Sequence, residues 1–530
     1  MANTVYLKQN VQAEPLLNQW YAASLTIPPT TSAMFVANSH LKIMRSYILV
    51  PEMHTAANED PELMGGPFIN FKENRVAEVE ALLDKTVKEQ AHVIEFANAV
   101  KRLDLMLNSE AKGYSLEPLY EKVPNLLKGF VELVYDLKNN PSIRFIERLL
   151  YKSPFYKLSS QSMGLSLVNK DNRPFVLSTP RLETDNFLRL QIPFCDERWD
   201  QLFRMKEEAR PFEEIKDILE LDAASEKIFK TFVTGEKRQR ASSRYRGEGV
   251  RIRYFGHACL LSETKDVCIL TDPFISYEYE TDIPRYTFAD LPDQIDYILI
   301  THSHLDHIVL ETLLQLRHKV NTIVVPRNSG GFMPDPSLKL LLESVGFRHV
   351  VDVDELATLD FPGGSITALP FLGEHHDLNI RSKTSYLIAV DNKKICVAAD
   401  SCSLEIKVLE KIHEEFGDID LLFIGMECDG APVSWFYGAL FTTPLEREKD
   451  YSRQGSACNL QRAIETTKAL HCKQVYVYAM GLEPWLTYIM SINYNDDSKQ
   501  IVESKSFIAE CLQSGVGAEM LYGHKTIMLR

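Results

Sequence analysis

Four side chains that bind metal ions lie close together near the middle of the chain. His302, His304, Asp306 and His307 directly follow the apolar run 297–300, which predicts a buried strand. Residues two apart in an extended segment point to the same side, so His302 and His304 can bind one ion. Asp306 and His307 open the next predicted helix and can face a second ion. Because such a grouping rarely arises by chance, the segment predicts a metal site at the edge of a sheet.

Two later segments also place metal-binding side chains after predicted strands. Residues 373–377 read Gly-Glu-His-His-Asp and follow the strand-like run 365–369. Asp400 ends the strand-like run 394–400, a position from which a carboxylate can bridge two cations. Its alternative role is to cap the helix predicted after Ser401. The histidines upstream favour the metal role.

The segment 302–307 carries the pattern H-x-H-x-D-H, which is the signature of the metallo-β-lactamase fold. The segments 254–258 and 270–274 resemble the opening hairpin of that superfamily. The resemblance implies an αβ/βα sandwich with a dinuclear metal site at the edge of its two sheets. It implies that Asp400 bridges the metals and that His257 supports the site without binding a metal.

Two positions depart from the usual hydrolases of this fold. Those enzymes have a histidine at the third strand-end position, where this chain has Glu374. The neighbouring His375 or His376 could restore the usual pattern. Hydrolases also commonly supply a last histidine after the strand predicted at 474–478, and here Ala479 follows.

With Glu374 as a ligand, the set implied by the resemblance is rich in oxygen, which favours iron or manganese over zinc and leaves positions open for O2. This set, the long N-terminal segment and the total length resemble one branch of the superfamily. That branch is the diiron amino-acid β-hydroxylases of nonribosomal peptide synthesis, typified by the chloramphenicol-pathway enzyme. The implied metal ligands are His302, His304 and Glu374 for one iron, Asp306 and His307 for the other, and Asp400 as the bridge.

The resemblance implies a monooxygenase that uses two iron ions, cycling between Fe2+ and Fe3+, and O2 as co-substrate. Glu374 and Asp400 are its expected catalytic residues. The implied substrate is an amino acid held as a thioester on the thiolation (carrier) domain of a peptide synthetase, and an external donor supplies electrons. The alternative is a zinc or manganese hydrolase of the same fold that opens a lactone or phosphodiester. The intact ligand set argues against a non-catalytic binding module.

The pattern of predicted helices and strands along the 530 residues predicts two domains of the α/β (α+β) class. The polar, glycine-punctuated segment 234–249 predicts a connector. We therefore expect an N-terminal α/β accessory domain over 1–245, for substrate access, carrier docking or dimerisation, and a catalytic domain over 246–530. After residue 250, short β-rich runs alternate with helices, which is typical of two sheets covered by outer helices.

The N-terminal part reads as mixed and rich in helix. Apolar residues recur at helical spacing in several windows, and two short windows resemble strands. The predicted elements are helices over 76–107, 126–137, 143–151 and 212–232, and strands over 175–178 and 187–192.

Charge and composition narrow the partners. The 58 Lys and Arg residues against 73 Asp and Glu residues give a net charge of −15, which argues against a nucleic-acid partner. No apolar run approaches the ~18 residues needed to cross a membrane, and the first residues lack a signal-peptide pattern. The nine cysteines contain no C-x-x-C pair, so we expect buried thiols in a reducing cytoplasm. The basic residues of the connector suggest a linker, with carrier docking as the alternative: Lys237, Arg238, Arg240, Arg244 and Arg246.

Overall fold

The computed structural model describes residues 4–61, 63–238 and 244–530. Its C-terminal part contains two seven-stranded sheets, and in each one a parallel half adjoins an antiparallel half. The strands of the first sheet, in spatial order, are Val350–Val353, Val320–Pro326, Ile295–Leu299, Cys268–Thr271, Leu260–Glu263, Val250–Tyr254 and Lys525–Leu529. Those of the second are Thr358–Phe361, Gly364–Leu369, Ser385–Val390, Lys393–Val397, Leu421–Gly425, Gln474–Tyr478 and Gly517–Met520.

The two sheets pack face to face. Alternate residues of each strand point between the sheets, as the period of two requires. Ile252 and Val324 from the first sheet meet Tyr386 and Phe423 from the second in one fully buried core. Burial of these large apolar side chains is the main force that holds the sheets together.

Helices cover the outer face of each sheet. The first sheet packs against Leu310–Leu316 and Leu338–Ser344, and the second against Ile406–Phe416, Leu460–Ala469 and Lys499–Gln513. The predicted αβ/βα sandwich is therefore confirmed. Shorter helices in the loops are Val433–Tyr437, Arg447–Ser452 and Thr487–Met490.

The N-terminal part combines small sheets with helices. A four-stranded sheet is formed by Trp20–Tyr21, Val11–Leu17, Gln161–Leu167 and Leu188–Leu190; a three-stranded sheet by Arg210–Pro211, Thr4–Leu7 and Val233–Thr234; and a hairpin by Val131–Tyr135 and Pro141–Phe145. The helices are Pro29–Phe35, Leu41–Leu49, Pro51–Glu59, Val76–Glu89, Ala91–Glu110, Glu147–Leu150, Arg198–Arg204, Phe212–Ile218 and Ala223–Phe229. A π-helical turn, Val36–His40, joins the first two.

Several N-terminal predictions are wrong. The windows 126–137 and 143–151 were expected to be helical, but residues 131–135 and 141–145 form the two strands of the hairpin, and only Glu147–Leu150 is helical. In the hairpin the buried residues alternate, with Leu133 paired to Ile143, so the period is two. No strand forms within 175–178.

Two predicted helices are each interrupted. The helix expected over 76–107 breaks at Gln90, whose φ of −106° and ψ of 14° leave the helical region. Its side-chain amide donates hydrogen bonds to Asn18 and Ser160 at 2.9 and 3.2 Å. The helix expected over 212–232 breaks near Glu220, which has a φ of +54°.

The two predicted domains share a continuous core. Leu202 and Phe203 from the N-terminal part belong to the same buried cluster as Leu313 and Leu314 from the sandwich. A division at residue 245 therefore remains a prediction. None of the helices in the described ranges is long and apolar enough to cross a membrane.

The basic connector is tied to the sandwich by ion pairs. Arg238 Nε lies 2.7 Å from Glu278 Oε1, and Arg244 Nη2 lies 2.9 Å from Asp296 Oδ2. Arg240 falls outside the described residues. Because two of the basic side chains already have acidic partners, these contacts favour the linker interpretation over the docking one.

Candidate metal centre

The H-x-H-x-D-H segment begins where strand Ile295–Leu299 leaves the first sheet. The parallel neighbour Cys268–Thr271 ends beside it, and Asp272 follows that strand. The Asp272 carboxylate accepts hydrogen bonds from the Thr301 backbone N–H at 2.8 Å and from the Thr301 hydroxyl at 2.6 Å. Because parallel strands end at one edge, the polar segments that follow them meet there.

One half of the centre contains His302, His304 and Glu374. His302 is fully buried, and His304 Nδ1 lies 3.4 Å from Glu374 Oε1. The Glu374 loop follows strand Gly364–Leu369 of the second sheet. The predicted residues of this half are therefore brought together from both sheets.

The other half contains Asp306 and His307. Asp306 Oδ2 lies 3.6 Å from His307 Nε2 and 3.0 Å from His257 Nε2. The opposite ring nitrogen of His307, Nδ1, contacts Asp272 at 2.8 Å. A carboxylate at that nitrogen fixes the ring and turns Nε2 towards the centre. The position of His257 is consistent with the supporting role predicted for it.

Asp400 lies between the two halves. Its Oδ2 is 3.1 Å from His307 Nε2 and 3.5 Å from His302 Nε2. Its other oxygen faces Gly425, where an added Cβ would stand only 2.7 Å from Oδ1. Any side chain at Gly425 would therefore displace the carboxylate.

The donor atoms fit metal ions. Within the described ranges, buried atoms without a hydrogen-bond partner include Nε2 of His302, His304 and His307 and Oδ1 of Asp400. Buried polar atoms are normally paired, so unpaired ones need an explanation. Bonds of about 2.0–2.2 Å place adjacent ligands on one ion about 3 Å apart or slightly more. The nitrogen–oxygen separations above agree with that spacing.

Electrostatics prepare the site for cations. Burial, reinforced by the neighbouring imidazoles, lowers the pKa of His302 far below its usual range, and burial lowers the pKa of His304 to about 3. Both rings are therefore neutral near pH 7, the form that binds metals. Burial, together with Asp400, raises the pKa of Glu374. A bound cation would offset the electrostatic repulsion between the Glu374 and Asp400 carboxylates.

The loop that carries Glu374 has an unusual backbone. All four residues of 374–377 have positive φ, between 50° and 58°, a region that non-glycine residues rarely occupy. Side-chain contacts hold this turn: His375 Nδ1 lies 2.7 Å from the Tyr437 hydroxyl, and Arg453 Nε donates to the His376 carbonyl at 2.9 Å. Strain of this kind persists where the surroundings enforce it, commonly at functional sites.

Two of the three candidates for the third strand-end ligand, Glu374 and His375, reach the centre. The ligand atoms of His302, His304 and His375 all lie within 4.8 Å of one another, and His375 Nε2 is buried without a partner among the described residues. His376 instead contacts the Ala431 carbonyl through Nε2 at 3.0 Å. By position, Glu374 and His375 are therefore the two alternatives for the third strand-end ligand.

A cavity of about 380 Å³ opens beside the centre. The loop 429–441 both lines the cavity and packs in the core: Trp435 and Phe436 line the cavity, whereas Val433 is buried. Gly65, from the N-terminal part, also lines the cavity, and its carbonyl accepts a 3.1 Å hydrogen bond from Trp435 Nε1.

Sequence reasoning missed Glu427 and Tyr494. Glu427 lines the cavity two residues after strand Leu421–Gly425, and its Oε1 accepts a 3.2 Å hydrogen bond from the Tyr494 hydroxyl. Burial raises the pKa of Glu427 to about 8, and Asp400 adds to the rise. The available signal was its place just past a buried strand, the same signal that pointed to Asp400.

Comparisons with known proteins agree with this geometry. A family model described as the N-terminal domain of diiron non-heme β-hydroxylases matches residues 6–237, and one described as a β-lactamase superfamily domain matches residues 268–469. The 4-amino-L-phenylalanyl-[CmlP-peptidyl-carrier-protein] 3-hydroxylase of Streptomyces venezuelae is 37% identical over 532 residues, covering 99% of each chain.

Solved structures give the same result. The crystal structure of CmlA, a diiron β-hydroxylase from Streptomyces venezuelae, superposes with a TM-score of 0.93 at 35% identity and covers 100% of both chains. The metal-dependent hydrolase YtkL of Bacillus subtilis is 27% identical over 179 residues, which is 33% of this chain and 72% of the hydrolase. The similarity to the hydrolase is therefore confined to a part of the chain.

Proposed function

Since the chain belongs to the family of diiron non-heme β-hydroxylases, we propose that its substrate is an amino acid held as a thioester on a carrier domain. The Streptomyces venezuelae relative acts on an aminoacyl group attached to a peptidyl carrier protein. Its similarity extends over both the N-terminal part and the sandwich. A shared substrate form is the simplest reason for keeping the whole architecture.

The family assignment confirms the enzyme class predicted from the sequence. The protein is a diiron monooxygenase that uses two iron ions and O2 to hydroxylate a β-carbon. The hydrolase alternative is not favoured. For each turnover, one O2, two electrons and two protons convert a C–H bond to C–OH and release one water.

We propose the same metal ligands that the family resemblance implies. The observation that carries the assignment is the position of Asp400 Oδ2, within 3.1–3.5 Å of an imidazole nitrogen from each half of the centre. Glu374 is preferred over His375 because the family uses iron, which favours oxygen ligands, and because Glu374 Oε1 lies 3.4 Å from His304 Nδ1. The proposed set is His302, His304, Asp306, His307, Glu374 and Asp400.

The protein's own residues supply order and protection around the centre. Bound iron would supply the activation of O2. Asp272 holds His307 in one ring orientation, and Gly425 leaves room for Asp400. The apolar residues Phe436 and Met490 line the cavity and limit the entry of water.

A tethered substrate suits the cavity. A pantetheine arm delivers the aminoacyl group at high effective concentration, so weak binding of the group itself suffices. We propose that the N-terminal part, residues 1–245 by the sequence estimate, contributes to access for this arm and to carrier docking or dimerisation. We further propose an external electron donor and a cytoplasmic location, which the nine unpaired thiols support.

Metal analysis and substrate comparison test this function. Protein produced with iron should contain about two irons per chain, and its oxidised form should show near-ultraviolet charge-transfer bands. Aminoacyl groups on a carrier should be hydroxylated far more efficiently than free amino acids. Two zinc ions per chain after iron supplementation would support a hydrolase instead. Efficient turnover of free amino acids would remove the carrier from the proposal and leave the iron centre intact.

A further inference from the structure

Two carboxylates that line the cavity have no place in the proposed ligand set, and Glu427 is buried more deeply than the exposed Asp429. Glu427 is anchored through its backbone, because its carbonyl accepts a 2.9 Å hydrogen bond from the Ala457 N–H. Its side chain faces the cavity and accepts one hydrogen bond, from the Tyr494 hydroxyl at 3.2 Å. The carboxylate is thus held in place by neutral groups.

Glu427 has no cationic partner within the described part of the chain. No lysine or arginine there comes within 4.0 Å of its carboxylate, whereas the buried acids Glu14 and Glu311 both pair with arginine. Burial disfavours the negative charge of Glu427. A partly buried, unpaired carboxylate of this kind is best stabilised by a cation that enters the cavity.

The proposed substrate carries such a cation. An aminoacyl thioester has an ammonium group on the α-carbon, directly beside the β-carbon that is to be hydroxylated. A residue that holds the ammonium therefore also fixes the distance of the β-carbon from the metals. Part of the remaining wall is apolar and suits the amino-acid side chain; this part includes Leu305, Phe436, Met490 and Ile492.

We propose that Glu427, oriented by Tyr494, binds the α-ammonium group of the tethered amino acid and thereby positions its β-carbon at the metal centre. This inference rests on the proposed function, since it requires an aminoacyl substrate. It names a binding site for an alkylammonium group that is separate from the metal ligands. Glu427 is a specificity residue because it distinguishes aminoacyl groups from acyl groups without an amine.

A pair of substrate analogues separates this role from an effect on the metals. The first is phenylalanyl-aminopantetheine, in which an amide replaces the labile thioester, and the second is the same molecule without the α-amine. Binding of each is measured by calorimetry to the iron-loaded resting protein under argon, so no turnover occurs. Iron per chain is measured in every sample.

The variants are Glu427→Gln, Tyr494→Phe and a control, Asp429→Asn. Asp429 is an exposed carboxylate two positions along whose Oδ2 already lies 3.9 Å from Lys499 Nζ. The wild type should bind the amine-bearing analogue about 10- to 100-fold more tightly than the analogue without it, the range for a charge-assisted hydrogen bond. Glu427→Gln should lose most of that preference and retain two irons. Tyr494→Phe should lose part of it, and Asp429→Asn should keep it.

Four results would overturn the inference. If Glu427→Gln weakens both analogues equally, or lowers the iron content, the residue acts on the metals or on the fold. If Glu427→Gln keeps the preference, the ammonium binds elsewhere. If the wild type binds both analogues equally, the inference fails while the carrier-bound substrate stands. If the wild type binds neither, the proposed function fails as well.

Discussion

The sandwich and the N-terminal part border the same cavity but contribute different kinds of residue. All six proposed metal ligands belong to the sandwich, whereas the N-terminal part contributes Met64 and Gly65 to the wall. The N-terminal part also reaches the centre indirectly. Arg173 donates to both oxygens of Glu311, at 3.0 and 3.1 Å, on the helix Leu310–Leu316 that follows the H-x-H-x-D-H segment. Metal binding and the support of the metal-binding segment are therefore divided between the two parts.

This division between metal ligands in the sandwich and wall residues in the N-terminal part indicates how a metal-binding fold can act on a new substrate. The metal ligands lie on the sandwich, whereas the residues that surround the cavity determine which substrate reaches the metals. In this chain the N-terminal part supplies some of those residues. The N-terminal part contacts the sandwich through the buried Arg173. Besides Glu311, this arginine contacts Glu14 of its own part at 2.9 Å and lies over the Tyr488 ring of the sandwich at 3.5 Å. Changes in the two parts should thus have separable effects.

The largest effect is expected for Glu374→Ala in the sandwich. Loss of its carboxylate should empty one metal position, so iron should fall from about two per chain to about one and hydroxylation should be abolished. Asp377→Ala is the matched control, because it places alanine at a similar positive φ in the same turn. Iron analysis and a carrier-based assay measure both. Full activity of Glu374→Ala would contradict the assignment of Glu374 and leave His375 as the alternative ligand.

The next effect is expected for Arg173→Met in the N-terminal part. It leaves Glu14 with only Arg181 and removes the arginine partner of Glu311, and breaking a buried ion pair in this way destabilises by about 3–5 kcal/mol. Urea denaturation should show the loss, while iron per folded chain stays near two. Arg102→Met, which removes an exposed ion pair with Glu95, should change stability by less than about 1 kcal/mol. Loss of iron from folded Arg173→Met would show that the N-terminal part also contributes to metal binding.

A smaller, pH-dependent effect is expected for Lys206→Met where the two parts meet. Burial, with Lys319 adding to it, lowers the pKa of Lys206 from 10.5 to about 7, although Glu311 and Glu207 oppose the shift. Between pH 7 and 10 the unfolded chain therefore binds the proton that the folded chain has released, and the free energy of unfolding rises with pH. The stability of Lys206→Met relative to wild type should fall by about 1 kcal/mol per pH unit from pH 7.5 to 9. A constant difference between their urea midpoints would contradict this.

The smallest effect is expected for Trp435→Phe, which removes the hydrogen bond to Gly65 that links the two parts at the rim. The loss of one such bond, about 1 kcal/mol, should raise KM for the carrier-bound substrate less than tenfold and leave kcat and iron content unchanged. Steady-state kinetics measure this. A large fall in kcat would show that the rim residue acts on the metals.

The sequence predicted the sandwich more accurately than the N-terminal part for physical reasons. Strands such as Leu421–Gly425 are buried on both faces, so they appear as short, uniformly apolar runs. The N-terminal hairpin strand Val131–Tyr135 is only half-buried and contains Leu and Glu, residues that also suit helices. Whether such a segment becomes a helix or a strand depends on tertiary packing, which the pattern of a short sequence segment does not contain.

The candidate site shows the same limit. Four proposed ligands are local in sequence and could be found from their spacing. Asp272, Glu427 and Tyr494 are separated by many residues and acquire their contacts only when strand ends meet at one edge. The alternatives Glu374 and His375 are adjacent in the chain, so no spacing argument could separate them.

The turn at 374–377 has a stereochemical consequence. Its four positive φ angles are unfavourable for L-amino acids but are the ordinary preference of their mirror images. A semisynthetic chain with D-alanine at residue 377 should therefore relax the backbone, where L-alanine would retain the strain. Chirality at this one turn thus offers a way to change the stiffness of the loop that carries Glu374 without altering its chemistry.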